Sequence, residues 1–107
     1  MAGGVWGVPA VASAARAAHA ALDAAILTVV AMAAPAVGRT RAVEILRGGR
    51  SAALRRHGYD GLPGYGAFGD LPAADVLARV DALLAMGRIA STNGPYPKLR
   101  VAEARAA

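Results

Sequence analysis

The stretch from Ala10 to Ala33 limits the fold of this chain more than any other feature. It is dense in alanine, and Leu22, Ile26, Val29 and Val30 recur at i, i+4, i+7 and i+8, so it can bury a face only as a helix. Pro35 and Gly38 predict where that helix ends. The eight residues before Pro9 contain Gly3, Gly4 and Gly7 and predict a loosely ordered start, with Trp6 placed to fold back on the helix. In a chain of 107 residues the expectation is one domain. Alanine makes up about a quarter of the sequence and aromatic residues only 5%, which predicts a thin helical core and argues against an all-β fold.

Several kinds of chemistry drop out early. The chain has no cysteine, so disulfides, thiolate metal sites and cysteine nucleophiles are absent, in keeping with a reducing compartment. Its two histidines, His19 and His57, are far apart in sequence and make no metal cluster. Ser13, Ser51 and Ser91 sit in no G-x-S-x-G elbow. No G-x-x-x-x-G-K-[ST] loop occurs, so the chain carries no nucleotide-hydrolysing motor of that type. The uncharged run from Ala24 to Gly38 is too short to cross a bilayer core of roughly 30 Å and reads as a buried helix. With no basic residue before Arg16, a secretory signal is not expected, and the reading is of a cytoplasmic protein.

The charge is concentrated. Between Arg39 and Arg56 lie six arginines (39, 41, 47, 50, 55 and 56) and one acid, Glu44, which together account for the whole formal net charge of +5. The other cations, among them Arg88 and Arg105, are balanced by acids that include Asp60 and Glu103. One cationic block in a small domain suggests a contact patch for a polyanion, and a merely solvated basic helix face is the plainer alternative.

The block has its own local structure. Arg39 or Thr40 to Arg47 predicts a second helix, with Thr40 as its cap, Val43, Ile45 and Leu46 facing inward, and Gly48-Gly49 as its stop. Ser51 is placed to cap a short third helix from Ala52 to about His57. The bend between them gathers Arg47, Arg50 and Arg55 beside unpaired backbone N–H groups, an anion site in outline as well as a tight interhelical turn. Gly58 to Gly69 is glycine-rich and carries Tyr59, Pro63, Tyr65 and Phe68, and reads as an ordered loop pinned by its aromatics. Asp70 is placed to cap a fourth helix to about Met86, with Val76, Val80, Leu83 and Leu84 as its buried stripe. On that helix Asp75 and Arg79 are spaced for a surface ion pair, and with Asp81 they make poor readers of base edges.

Two short strands, Arg88 to Thr92 and Lys98 to Val101, are joined through Asn93-Gly94, while Pro95 and Pro97 predict a hairpin splayed near its tip. Helices followed by a hairpin give a mainly α fold with a small β-hairpin, the order of a winged helix-turn-helix.

Leu46-Arg47-Gly48, Arg55-Arg56-His57, Leu62, Tyr65-Gly66, Gly69-Asp70-Leu71, Leu83-Leu84-Ala85-Met86-Gly87 and Tyr96-Pro97-Lys98-Leu99, in that order and spacing, resemble the RQC domain. This is the winged-helix module that follows the catalytic core of RecQ-family DNA helicases. The resemblance runs from about Asp23 to Glu103 and divides the chain into an alanine-rich extension, 1–22, and a domain, 23–104. It implies binding to duplex or branched DNA mainly through phosphates, with the hairpin wing against the duplex end. By position Arg47 matches the family's phosphate-contacting arginine, Gly49-Arg50-Ser51 its small polar turn, and Tyr96 its aromatic wing tip. Gly66-Ala67-Phe68-Gly69 lacks the polar and basic pair often found before the fourth helix, leaving the backbone donors of Gly69 and Leu71 as the contacts expected there.

The function that follows is a non-enzymatic DNA-binding module without a cofactor. Arg47, Arg50 and Arg55 would neutralise phosphates, Ser51 and its neighbouring N–H groups would orient them, and Lys98 with Arg100 would hold the wing to the backbone. Tyr96 would stack on an exposed base pair, or else pack against its flanking prolines. The expected partners are double-stranded or forked DNA and a helicase or other protein of DNA repair, recombination or replication. The expected location is the cytoplasm, at the nucleoid, as a monomer rather than a dimer. A winged-helix transcription regulator and a protein-interaction winged helix with no DNA role are the alternatives.

Overall fold

The computed structural model describes residues 3–102, with side chains from Arg16 onward. Four helices, α1 (Gly3–Met32), α2 (Arg39–Arg47), α3 (Ala52–Arg56) and α4 (Ala73–Ala85), precede two strands, β1 (Ile89–Ser91) and β2 (Leu99–Val101). A single 3-10 turn, Tyr59–Gly61, interrupts the loop between α3 and α4. The strands form an antiparallel hairpin with Ile89 opposite Val101 and Ser91 opposite Leu99. This is the predicted winged helix.

The core is the meeting of the predicted stripes. Leu22, Ile26, Val29 and Val30 of α1 are buried against Val43, Ile45 and Leu46 of α2 and Val76, Val80 and Leu83 of α4. Ile89 and Leu99, one from each strand, close the wing end, and Leu54 is the single buried side chain of α3. Tyr59 is buried in the same cluster and donates its hydroxyl to the Pro35 carbonyl, while burial, outweighing the nearby Arg41 charge, pushes its pKa up. The aromatics of the 58–69 loop thus pin it as expected.

Some boundaries differ from expectation. The backbone is helical from Gly3 rather than from about Ala10, through Gly3, Gly4, Gly7 and Pro9, against the local propensity of those residues. The Trp6 side chain and residues 103–104 lie outside the described residues. Gly38, not Thr40, is the N-cap of α2, with no side-chain cap bond. Asp70 does not cap α4, whose N-cap is Pro72. Pro72 is extended, with φ −61° and ψ 147°, so the first turn begins only at Ala73, two residues beyond where a cap at Asp70 would place it. Among the described residues no helix is long and apolar enough to cross a membrane.

Candidate nucleic-acid interface

The α2–α3 bend is built from its glycines outward. Gly48 takes the left-handed conformation, φ 79°, that lets α2 end sharply, and its N–H and that of Gly49 bond the carbonyls of Ile45 and Glu44. Ser51 caps α3 as predicted, its hydroxyl accepting the Leu54 N–H at 3.2 Å. The same oxygen accepts from Arg41 at 3.2 Å, and Arg41 also grips Glu44. Burial works to raise the Glu44 carboxyl, but hydrogen bonds from Ser51 and Arg41 and the Arg41 charge outweigh it and hold the pKa below its ordinary value.

The loop before α4 supports the bend from the other side. The Tyr65 hydroxyl spans the carbonyls of Gly48 and Gly49, at 3.2 and 2.9 Å. Arg47 Nε donates to the Leu71 carbonyl at 2.7 Å, and a Cβ on Gly69 would stand 3.3 Å from the Arg47 carbonyl. Arg47, Gly49, Arg50, Ser51, Arg55 and Gly69 are therefore gathered on or beside one bend.

The cationic block divides in two. Arg39 is paired with Asp81 at 2.7 Å, and Arg41 with Glu44. Arg47, Arg50, Arg55 and Arg56 are exposed, and none has a carboxylate within 4.0 Å among the described residues. Two expected contacts change character. The Ser51 hydroxyl is occupied as cap and as acceptor for Arg41, so it shapes the bend rather than pointing outward. The Gly69 and Leu71 N–H groups are bonded within turns to Gly66 and Phe68, and α4 starts only at Ala73, so neither donor stands at a helix start. With five residues, α3 has only a slight dipole, and the guanidinium groups dominate the positive field.

Tyr96, Lys98 and Arg100 lie elsewhere, on the wing. Tyr96 is 80% exposed, which removes the alternative of a ring packed between its prolines. The wing is fastened to the start of α2: the Leu99 N–H donates to the Val37 carbonyl at 2.7 Å, and a Cβ on Gly38 would lie 2.8 Å from the Pro97 carbonyl. The two groups of site residues thus flank α2, whose nine residues rise about 13 Å. Between α2 and the wing is a cleft of about 410 Å³, lined by Arg39, Arg41, Tyr96 and Lys98 among others. Arg39 and Arg41 were missed as site residues from sequence. The signal available was Gly38, whose lack of a side chain admits the wing to within reach of them.

Arg79 of α4 does not pair with Asp75. It makes a two-pronged bond to Asp23 of α1, at 3.0 and 2.7 Å, and this hydrogen bonding raises its pKa despite partial burial. The reason is geometric: Asp23 faces α4 from the neighbouring helix and offers both oxygens in a half-buried site, where the Asp75 carboxylate would meet Arg79 in open water. With Asp81 bound to Arg39, α4 presents no free arginine to a groove.

Among the described residues no three His, Asp or Glu side chains gather to hold a metal ion. A family model described as the RQC domain matches residues 17–107. No curated protein and no solved structure matches the chain.

Proposed function

Since the chain belongs to the RQC domain family, a winged-helix module that typically binds DNA in RecQ helicases, we propose that it binds duplex or branched DNA mainly through phosphates and without catalysis of its own. One observation carries this reading: Arg47, Arg50, Arg55 and Arg56 stand exposed around the α2–α3 bend with no carboxylate partner among the described residues. Guanidinium groups without a carboxylate partner can bond phosphate oxygens in a fork and release the counterions of a nucleic-acid backbone. Gly49 and Gly69 contribute by keeping the bend compact, and Ser51 by fixing the start of α3. Lys98 and Arg100 add wing contacts to the backbone, and the exposed Tyr96 ring covers the end of the duplex.

The arginine of α4 is turned to Asp23, which favours backbone contact over base reading by that helix and counts against a sequence-specific transcription regulator. Residues 23–104 form the binding domain, and 1–22 an extension to it. In unwinding, a helicase partner supplies the motor, and the work belongs to repair, recombination or replication at the nucleoid.

The test is a titration of blunt duplex, forked duplex and single strands with wild-type protein and with Arg50→Ala and Arg55→Ala. Tighter binding of forks and duplex ends than of single strands is expected, with each substitution weakening duplex binding about threefold to tenfold. Equal affinity for all three DNAs, or variants that bind as wild type does, would overturn the reading.

A further inference from the structure

We infer that Tyr65 is a positioning residue for phosphate at the α2–α3 bend: its hydroxyl bonds the carbonyl oxygens of Gly48 and Gly49, which would otherwise repel the anion that the neighbouring arginines attract. The inference rests on the phosphate reading above and adds to the site a side chain without charge.

The need for such a group comes from the direction of α2. The last carbonyls of a helix together carry about half a negative charge. Arg47 is the last residue of α2 and Arg50 follows three residues later, so both stand at that negative end. A phosphate drawn to their guanidinium groups meets an opposing dipole unless the carbonyls there are bonded to donors.

Backbone donors answer the carbonyls of the helix itself. The Glu44 carbonyl accepts from the Gly49 N–H at 2.8 Å, that of Ile45 from Gly48 and Gly66 at 3.1 and 2.9 Å, and that of Leu46 from Phe68 at 2.9 Å. Beyond the helix, the Gly48 and Gly49 carbonyls receive no backbone N–H among the described residues. Their donor is the Tyr65 hydroxyl, at 3.2 and 2.9 Å, whose single hydrogen the two oxygens share.

Packing holds this donor in place. The Tyr65 ring is half-buried against the core, and at the adjoining residue the loop presses on the bend, where a Cβ on Gly48 would stand 3.2 Å from the Gly66 Cα. A hydroxyl fixed beforehand needs no ordering when the anion arrives. It also differs in kind from the arginines. Being neutral, it removes a repulsion without releasing a counterion, so it changes affinity but not the salt dependence of binding.

The test compares wild type, Tyr65→Phe and a protein carrying para-aminophenylalanine at residue 65, whose amino group again offers N–H donors. Each is titrated with a blunt duplex over a range of salt. Tyr65→Phe is expected to bind about three- to tenfold more weakly at every salt concentration with an unchanged slope of log K, and the amino variant to recover most of the loss. Wild-type affinity in Tyr65→Phe overturns the inference. So does a loss that the amino group fails to recover, or a slope that falls together with affinity, since either would show that the ring only shapes the bend. If wild type binds no duplex, a result that falls on the proposed function, inorganic phosphate decides instead, followed by the amide NMR signals of Gly48, Gly49 and Arg50. Shifts in wild type that need several-fold more phosphate in Tyr65→Phe support the inference. Shifts that are absent from wild type, or equal in the two proteins, overturn it.

Discussion

Glu44 is the one acid inside the cationic block, and it explains why only part of that block faces outward. By engaging Arg41 and Ser51 together it ties the middle of α2 to the start of α3, so the bend keeps its shape while four arginines crowd around it. Its depressed pKa makes this tie pH-dependent. An acid whose pKa is lower in the folded than in the unfolded chain adds stability that is complete above the unfolded value and is lost as pH falls through the folded one. Glu44→Gln should therefore cost about 1 kcal/mol at neutral pH, after allowance for solvent around the half-exposed Arg41. The gap between wild type and variant should close below the ordinary carboxylate value of 4.5. Urea unfolding at a series of pH values measures it, and a gap that stays constant into the acid range would show that Glu44 acts by packing instead.

At the scale of elements, the wing is positioned by backbone rather than by side-chain packing alone. The Leu99 N–H on Val37 and the approach of Pro97 to Gly38 fix the hairpin against the start of α2. A methyl group at residue 38 would meet a backbone oxygen at 2.8 Å, which cannot swing aside as a flexible side chain can. Gly38→Ala should thus cost about 1–3 kcal/mol. Its loss of amide protection should centre on Leu99 and Thr92 before the α1–α4 core is affected, and hydrogen exchange would read it; uniform loss across the chain would count against a local wing anchor. Such contacts mark the limit of what the sequence discloses. The stripe of Leu22, Ile26, Val29 and Val30, the Ser51 cap and the Gly48 stop were all legible, since each depends on neighbours within a turn or two. The partner of Arg79 lies 56 residues away, and that of Arg39 lies 42 residues away, so neither follows from local spacing. The nearer candidate, Asp75, was the natural choice from spacing, and the tertiary packing of α1 on α4 supplied a better one. For the site, the arginine bend was legible because its residues are contiguous. The cleft was not, because it exists only once the wing has folded back over α2.

For the molecule as a whole, the decisive quantity is how much of its formal net charge of +5 remains available to an outside polyanion. Two arginines of the block are answered by Asp81 and Glu44, and four have no carboxylate partner among the described residues. Lys98 and Arg100 add charge on the wing, at the other end of α2 from the bend. If most of these unpaired cations meet phosphates, log K for duplex DNA should fall against log salt with a slope of about −4 to −5. Removing one of the four, as in Arg50→Ala, should reduce the slope by about one contact, whereas Arg39→Ala, which removes a charge already paired with Asp81, should change duplex binding much less. Affinities measured over a range of salt for these two variants separate a patch defined by unpaired guanidinium groups from one set by net charge alone. Net charge treats the substitutions as equivalent, and equal slopes for the two would favour a diffuse basic surface over a built phosphate site.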